Sequence, residues 1–182
     1  MSSIKAVVFD RDGTLIKHVS YLYKAEEVEL LPGVREGLER LRSAGIKLFV
    51  HSNQSGVGRG YFQMADVERC NTRMLELLGM GNDLFLEICL APEAPESPAI
   101  YRKPSPRFAE ELMQRHMLKA DEICYFGDRG SDIAAAHNAG CRAVGISTGL
   151  DDLRMELTEL GLIDEYPMVA SFSEAVELVL DL

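Results

Sequence analysis

Short apolar runs alternate with amphipathic segments along the chain, and this alternation limits the fold more than any other feature. The candidate strands are residues 4–9, 46–50, 84–90, 123–126, 143–146 and, as a small sixth, 168–170. One candidate helix begins at residue 34, after Pro32-Gly33. Others cover residues 64–78, 108–117, 133–139 and 150–160, and a last one is capped by Ser173 and ends at Leu180. Strands alternating with helices predict a parallel sheet covered by helices on both faces. We therefore expect an α/β, Rossmann-like fold of five or six strands without a separate cap domain.

The bulk composition fits one globular domain over residues 1–182. The chain is 47% hydrophobic and 26% charged, with a net charge of −10 that argues against general affinity for nucleic acids or anionic membranes. Its four cysteines form no C-x-x-C pair, so the usual zinc spacing is missing. The apolar stretch at the N-terminus is too short for a signal peptide, and no stretch reaches bilayer length. A soluble, cytoplasmic protein is the expectation.

Polar residues follow four of the candidate strands. These segments are Asp10–Thr14, His51–Gly56, Arg102–Pro104 and Gly127–Asp132. Ligands of open parallel sheets bind beyond the carboxyl ends of the strands, so the four segments are expected to meet at one edge. The sequence thus predicts a polar, charge-rich pocket there.

Four carboxylates in these segments indicate a metal and a phosphoryl group. Asp10, Asp12, Asp128 and Asp132 are expected to have little positive charge nearby, and clustered carboxylates repel unless a cation lies among them. Oxygen ligands without imidazole or thiolate suit Mg²⁺. A metal-held carboxylate can attack phosphorus, and a second one two residues on can protonate the leaving oxygen and then activate water. Phosphoryl transfer is therefore a plausible chemistry.

The same segments resemble the four motifs of the haloacid dehalogenase superfamily of phosphatases. Asp10–Leu15 resembles the first motif, Ser52 the second, Lys103 the third and Gly127–Asp132 the fourth. They occur in the family's order and span roughly residues 4–146. The resemblance implies an α/β fold and Mg²⁺-dependent hydrolysis of phosphate esters through a phosphorylated aspartate.

Two strings resemble a narrower subfamily, which includes heptose-bisphosphate phosphatases and histidinol-phosphatases. The strings are Ser52–Gly60 and Arg102–Pro104. The resemblance implies Asp10 as nucleophile and Asp12 as general acid and base. It also implies that Mg²⁺ is held by Asp10, the backbone carbonyl of Asp12 and Asp128. Candidate contacts to the transferring phosphate or to the rest of the substrate are Ser52, Asn53, Gln54, Arg59, Arg102, Lys103 and Arg129.

One segment departs from the subfamily pattern. Relatives usually carry a zinc-binding loop of Cys and His residues before the Arg-Lys-Pro string, whereas residues 89–101 here offer only Cys89. Residues 91–106 hold five of the chain's seven prolines instead. This loop and residues 17–31 are the candidates for partial lids. The subfamily's substrates cannot be assumed, because the altered loop borders the pocket.

Several readings remain open at this point. The leading one is a phosphatase in carbohydrate metabolism, acting on a phosphorylated sugar or related small metabolite such as heptose bisphosphate. The alternatives are a histidinol-phosphatase-like enzyme, a nucleic-acid 3′-phosphatase, which the charge of −10 disfavours, and a non-catalytic phosphate-binding module. Arg11 either belongs to the pocket or faces outward. Asp132 is expected to orient Lys103 or to cap the following helix, and His51 to be a packed residue.

Overall fold

Six strands form one parallel sheet in the computed structural model, which describes residues 3–149 and 152–181. The strands are Ala6–Phe9 (β1), Lys47–Asn53 (β2), Glu87–Ala91 (β3), Ile123–Gly127 (β4), Arg142–Ile146 (β5) and Met168–Val169 (β6). Their order across the sheet is β3-β2-β1-β4-β5-β6, and every neighbouring pair is parallel. The predicted α/β architecture is confirmed, with six strands.

Helices lie between successive strands, and a last helix follows β6. They are Val34–Ser43 (α1), Ser55–Gly58 (α2), Met64–Leu78 (α3), Arg107–His116 (α4), Gly130–Asn138 (α5), Leu153–Glu159 (α6) and Phe172–Leu180 (α7). Two short 3₁₀ turns lie at Ala25–Glu27 and Ala120–Glu122. Among the described residues, no helix combines the length and the apolar character needed to cross a bilayer.

The core has two layers, one on each face of the sheet. Val7 and Phe9 of β1 pack with α1, α3 and α7 on one face, whereas Ala6 and Val8 pack with α4, α5 and α6 on the other. All four β1 side chains are fully buried, as expected for a central strand that is covered on both sides. The helices therefore lie on both faces, as the sequence pattern predicts.

Some predicted boundaries were wrong by a few residues. Strand β3 begins at Glu87 rather than at residue 84. Leu84 and Phe85 are buried like strand residues, but they precede the pairing with β2. Ser171, not Ser173, caps α7, and its hydroxyl accepts from the amide of Glu174. Helix α6 begins at Leu153 after the cap Asp152, and the predicted start at Leu150 lies outside the described residues. The short helix α2 was not predicted.

The strand order reverses direction between β1 and β4. The chain runs outward from β1 to β2 and β3, and then returns to the other side of β1 to form β4. Helices on opposite faces diverge at such a switch point and leave a crevice at the carboxyl ends of the strands. Asp10 follows β1 and Asp128 follows β4, so the fold brings both carboxylates to this crevice.

Candidate active site

A cavity of about 490 Å³ lies at the carboxyl edge of the sheet. Its lining draws on segments that follow β1, β2, β3 and β4. The predicted site residues on this lining are Asp10, Asp12, Asn53, Gln54, Arg102, Lys103 and Arg129. The convergence of the four polar segments at one edge is therefore observed.

Lys103 lies at the base of the cavity and is only 2% exposed. Its ammonium group is 2.7 Å from Asp10 Oδ1, 2.6 Å from Asp132 Oδ1 and 2.6 Å from the carbonyl oxygen of His51. Of its three N–H donors, two make hydrogen bonds, to Asp10 and to the His51 carbonyl, while Asp132 is paired with the ammonium group by charge. Burial opposes the charge, but Asp10 and Asp132 outweigh it and raise the pKa of Lys103. Lys103 is therefore a fixed positive charge beside Asp10.

Asp128 is held in a narrow cradle. Thr14 donates its hydroxyl to Asp128 Oδ1 at 3.2 Å, while the buried Oδ2 has no hydrogen-bond partner among the described residues. A Cβ added to Gly13 or Gly149 would lie 2.2 or 2.1 Å from Oδ2, so a side chain at either position would displace the carboxylate. One oxygen of Asp128 is thus anchored and the other is unsatisfied.

The acids at this edge fit a divalent cation. Oxygens of Asp10, Asp128 and Asp132 all lie within 4.8 Å of one another. Burial raises the pKa of Asp10 and of Asp128, and the neighbouring carboxylates raise both further. An ion between Asp10 and Asp128 would relieve this repulsion and satisfy Asp128 Oδ2, and all-oxygen ligation suits Mg²⁺. The donor set thus agrees with the predicted metal.

Asp12 is anchored by side chains rather than left among unpaired acids. Arg11 donates from Nε to Asp12 Oδ2 and from Nη2 to Asp12 Oδ1, each at 3.0 Å, and Gln54 donates to Oδ2 at 3.0 Å. Arg11 is fully buried, and its Nη1 reaches Asn71 of α3 at 2.8 Å. The expectation of little positive charge near the four acids was therefore wrong, because Arg11 and Lys103 are both buried among them.

Strand β2 contributes to the site from both of its sides. Ser52 is fully buried and donates to Asp12 Oδ2 at 3.4 Å, whereas Asn53 hydrogen-bonds the backbone of Lys103 through both its amide oxygen and its amide nitrogen. Successive side chains of a strand point in opposite directions, which explains this division. Both residues were expected to contact phosphate, and here they hold Asp12 and Lys103 in place.

The three predicted arginines occupy different places. Arg102 and Arg129 line the cavity, and Arg129 Nε donates to Glu156 of α6 at 3.0 Å. Arg59 is exposed and does not belong to the lining. Its guanidinium contacts the Tyr21 hydroxyl and lies 3.4 Å from Glu96, so it connects residues after β1, β2 and β3 at the rim of the cavity.

Some contacts at the site follow from the sequence and others do not. Asp132 contacts Lys103 and also accepts from the backbone amide of Arg129 at 3.0 Å, so both roles considered for it are present. Thr14 was part of a quoted motif, but its contact with Asp128 was not foreseen. Tyr21 lines the cavity from residues 17–31, which the sequence offers as a candidate partial lid, whereas Phe62 lines it without any sequence signal. Chain topology alone brings these residues to the site.

Comparisons with known proteins agree with this geometry. The model of the family described as haloacid dehalogenase-like hydrolase matches residues 13–146. The chain is 32% identical over 162 residues to D-glycero-D-manno-heptose-1,7-bisphosphate 7-phosphatase of Thermosynechococcus vestitus, with 83% of each protein covered. It is 32% identical over 140 residues to D-glycero-beta-D-manno-heptose-1,7-bisphosphate 7-phosphatase of Helicobacter pylori, with 76% of this chain and 81% of the relative covered.

A solved structure extends the likeness to nearly the whole fold. The crystal structure of D,D-heptose 1.7-bisphosphate phosphatase from B. bronchiseptica, complexed with magnesium and phosphate, superposes with a TM-score of 0.87 at 26% identity. The superposition covers 98% of this chain and 99% of the other. Together with the family match and the geometry of the site, this shows that the chain belongs to the haloacid dehalogenase-like hydrolases and is a phosphatase.

Proposed function

We propose that this phosphatase hydrolyses a phosphate monoester of a small sugar phosphate, with Mg²⁺ and with Asp10 as the nucleophile. The observation that carries the proposal is the buried group at the base of the cavity. Lys103 is 2.7 Å from Asp10 there, and oxygens of Asp10, Asp128 and Asp132 lie within 4.8 Å of one another. Phosphoryl transfer depends mainly on positioning and charge neutralisation, and this group offers both.

The residues proposed to hold Mg²⁺ are Asp10, Asp128 and the backbone carbonyl of Asp12. A bound Mg²⁺ neutralises charge on the phosphoryl oxygens and orients the substrate. Thr14 fixes one oxygen of Asp128, which limits how the other can turn. Asp132, which the 4.8 Å cluster also includes, is instead paired with Lys103 at 2.6 Å.

The proposed reaction has two steps. An oxygen of Asp10 attacks phosphorus, the bond to the leaving oxygen breaks, and Asp12 gives that oxygen a proton. Asp12 then takes a proton from water, whose oxygen attacks phosphorus and breaks the bond to Asp10. The products are the alcohol, inorganic phosphate and a regenerated Asp10 carboxylate. Lys103 faces the phosphoryl oxygens throughout, and Arg11 with Gln54 orients Asp12.

The proposed substrate class is a sugar carrying a second anionic group, with heptose 1,7-bisphosphate as the first candidate. Two relatives at 32% identity are named as phosphatases of that compound. The cavity supports the choice because Arg102 and Arg129 line it together with Lys103, although the net charge of the chain is −10. The same lining carries Asp10, Asp12 and Asp132, so the cations serve a small anion bound beside them, while the acidic protein as a whole disfavours a polyanion.

A panel of phosphate esters tests the proposal. We expect phosphate release that requires Mg²⁺ and is fastest with heptose 1,7-bisphosphate among that compound, histidinol phosphate, hexose phosphates and a 3′-phosphorylated oligonucleotide. Asp10→Asn should abolish turnover, whereas Asp83→Asn, the same change at an exposed carboxylate, should leave it intact. Full activity of Asp10→Asn or in excess chelator would refute the mechanism. Faster turnover of the oligonucleotide or of histidinol phosphate would refute the substrate class.

A further inference from the structure

Lys103 lies in a segment that no strand or helix holds. Residues 98–106, between β3 and α4, form turns and irregular structure, yet the side chain of Lys103 is almost completely buried. Backbone N–H and C=O groups in such a segment need partners outside the regular ladders. The placement of Lys103 beside Asp10 therefore depends on whatever binds this backbone.

Glu93 binds the start of the segment. Its Oε1 accepts from the backbone amide of Ile100 at 3.0 Å and from that of Tyr101 at 2.6 Å. Burial favours the neutral acid, but these amides, together with that of Arg102, outweigh it and lower the pKa of Glu93. Glu93 is thus a carboxylate that makes charge-assisted hydrogen bonds two and three residues before Lys103.

Strand β2 binds the segment at Tyr101 and Lys103. His51 Nε2 is 2.8 Å from the carbonyl oxygen of Tyr101, and since a carbonyl can only accept, Nε2 carries the proton. Asn53 accepts from the amide of Lys103 at 2.9 Å and donates to its carbonyl at 3.2 Å. His51 and Asn53 are two residues apart on the strand, so their side chains point to the same side.

These contacts form one continuous clamp. Side chains of Glu93, His51 and Asn53 bind the backbone of residues 100, 101 and 103, and the carbonyl of His51 accepts from the Lys103 ammonium. Glu93 does not line the cavity and so does not reach the substrate from its position. Among the three, it alone lies in the same loop as Lys103, between β3 and α4.

We propose that Glu93 is a positioning residue that, with His51 and Asn53, places Lys103 beside Asp10. This inference rests on the proposed role of Lys103 in binding the transferring phosphoryl group. Loss of the Glu93 acceptor frees two amides and lets residues 100–103 shift. A displacement of roughly 1 Å at a reacting centre can cost about 10²-fold in rate, so an effect on turnover is expected even though Glu93 touches no substrate.

Steady-state kinetics of matched variants tests the inference, with p-nitrophenyl phosphate and Mg²⁺ as the probe. We expect Glu93→Ala to lower kcat/KM by about 10- to 100-fold. Glu93→Gln retains an acceptor oxygen and should recover activity to within about 5-fold of the unmodified protein, because only the charge of the hydrogen bond is lost. Glu110→Ala, the same change at an exposed carboxylate of α4, should have no effect.

Amide hydrogen exchange provides a second readout. Glu93→Ala should accelerate exchange in a peptide covering residues 97–106 and leave peptides from β1 and β4 unchanged. If Glu93→Ala has no cooperative unfolding transition, Glu93→Asp replaces it, since the shorter side chain keeps the charge but does not reach both amides. It should lower kcat/KM while its Tm stays near that of the unmodified protein.

The outcomes separate this inference from the proposed function. If Lys103→Ala retains full activity, the role of Lys103 and hence the proposed function fail. If Lys103→Ala is inactive while the Glu93 variants keep kcat/KM, only the clamp is refuted. A lowered Tm of Glu93→Ala with unchanged kcat/KM well below that temperature would show a merely structural role and would also overturn the inference.

Discussion

Two groups of ion pairs in this molecule have similar geometry and very different surroundings. At the base of the cavity, Lys103 is 2.7 Å from Asp10 and 2.6 Å from Asp132, and these side chains are at most 9% exposed. On the outside of the sheet, Arg115 of α4 is 2.7 Å from Glu87 and 2.9 Å from Glu111, with side chains 26% to 43% exposed. Distance alone does not distinguish the two groups, whereas burial does.

Burial decides what each group contributes. Exposed pairs are screened by water and salt and typically contribute about 0–1 kcal/mol each. Removing one partner of a buried pair leaves an uncompensated charge, which costs about 3–5 kcal/mol. The external group therefore joins α4 to the edge strand weakly, while the internal group, on which the proposed mechanism rests, depends on every member.

The largest expected effect comes from removing the internal cation. Lys103→Met keeps the length of the side chain and removes its charge, so Asp10 and Asp132 face each other without compensation. We expect kcat/KM to fall by at least about 10²- to 10³-fold, the usual cost of one donor to the reacting group. Arg115→Met makes the same type of change in the external group and should leave kcat/KM unchanged. An equal fall of kcat/KM in both variants would contradict the difference between the internal and external groups.

A smaller effect is expected from Mg²⁺ and pH. Burial raises the pKa of Asp10 and of Asp128 above their unfolded values, so without metal their contribution to stability is lost as pH rises through those raised values. Mg²⁺ offsets this loss of stability because it binds the ionised carboxylates of the folded protein. Saturating Mg²⁺ should raise Tm by about 5–10 °C near pH 8 and by less near pH 6.

Differential scanning calorimetry with and without chelator measures this shift. Asp128→Asn should remove the Mg²⁺-dependent increase in Tm, because it replaces the unsatisfied carboxylate oxygen with an amide. If the Mg²⁺-dependent increase in Tm were equal at the two pH values, or persisted in Asp128→Asn, the metal would bind at a place other than Asp10 and Asp128.

The smallest effect belongs to the external group. Glu111→Gln removes the charge that Arg107 and Arg115 share, each at 2.9 Å. We expect the free energy of unfolding to fall by no more than about 1 kcal/mol, with a difference that shrinks as salt is added, and we expect unchanged kinetics. Chemical denaturation at low and high salt measures the free energy of unfolding. A fall in that free energy as large as the one caused by Lys103→Met would contradict the comparison of the two groups.

The sequence predicted most of the internal group and little of what holds it. Asp10 and Asp128 directly follow β1 and β4, whose apolar runs are readable from the chain, and the neighbouring parallel strands bring the two carboxylates to one edge. Lys103 was expected there from its Arg-Lys-Pro string, although it lies in an irregular loop well beyond the end of β3. The contacts of Glu93 and His51 could not be foreseen, because they join an irregular loop to a strand and leave no periodic pattern. Arg11 was undecided for the same reason, since its burial depends on Asn71 in α3.

Boundaries were also harder to predict than positions. Leu84 and Phe85 are apolar and buried, so the sequence reads as strand there, although pairing with β2 begins only at Glu87. Hydrophobic pattern reports burial, and strand assignment requires hydrogen-bond partners that the pattern does not contain. The same difference explains why the sequence predicts Ser173 as the cap of α7, whereas Ser171 makes the capping hydrogen bond.

A crystal structure with Mg²⁺ and beryllium trifluoride, a mimic of the phosphoryl group, tests the central claim most directly. We predict beryllium bonded to a carboxylate oxygen of Asp10, Mg²⁺ in contact with both Asp10 and Asp128, and the ammonium of Lys103 next to a fluoride. Beryllium on another side chain, or Mg²⁺ bound without both aspartates, would contradict the account.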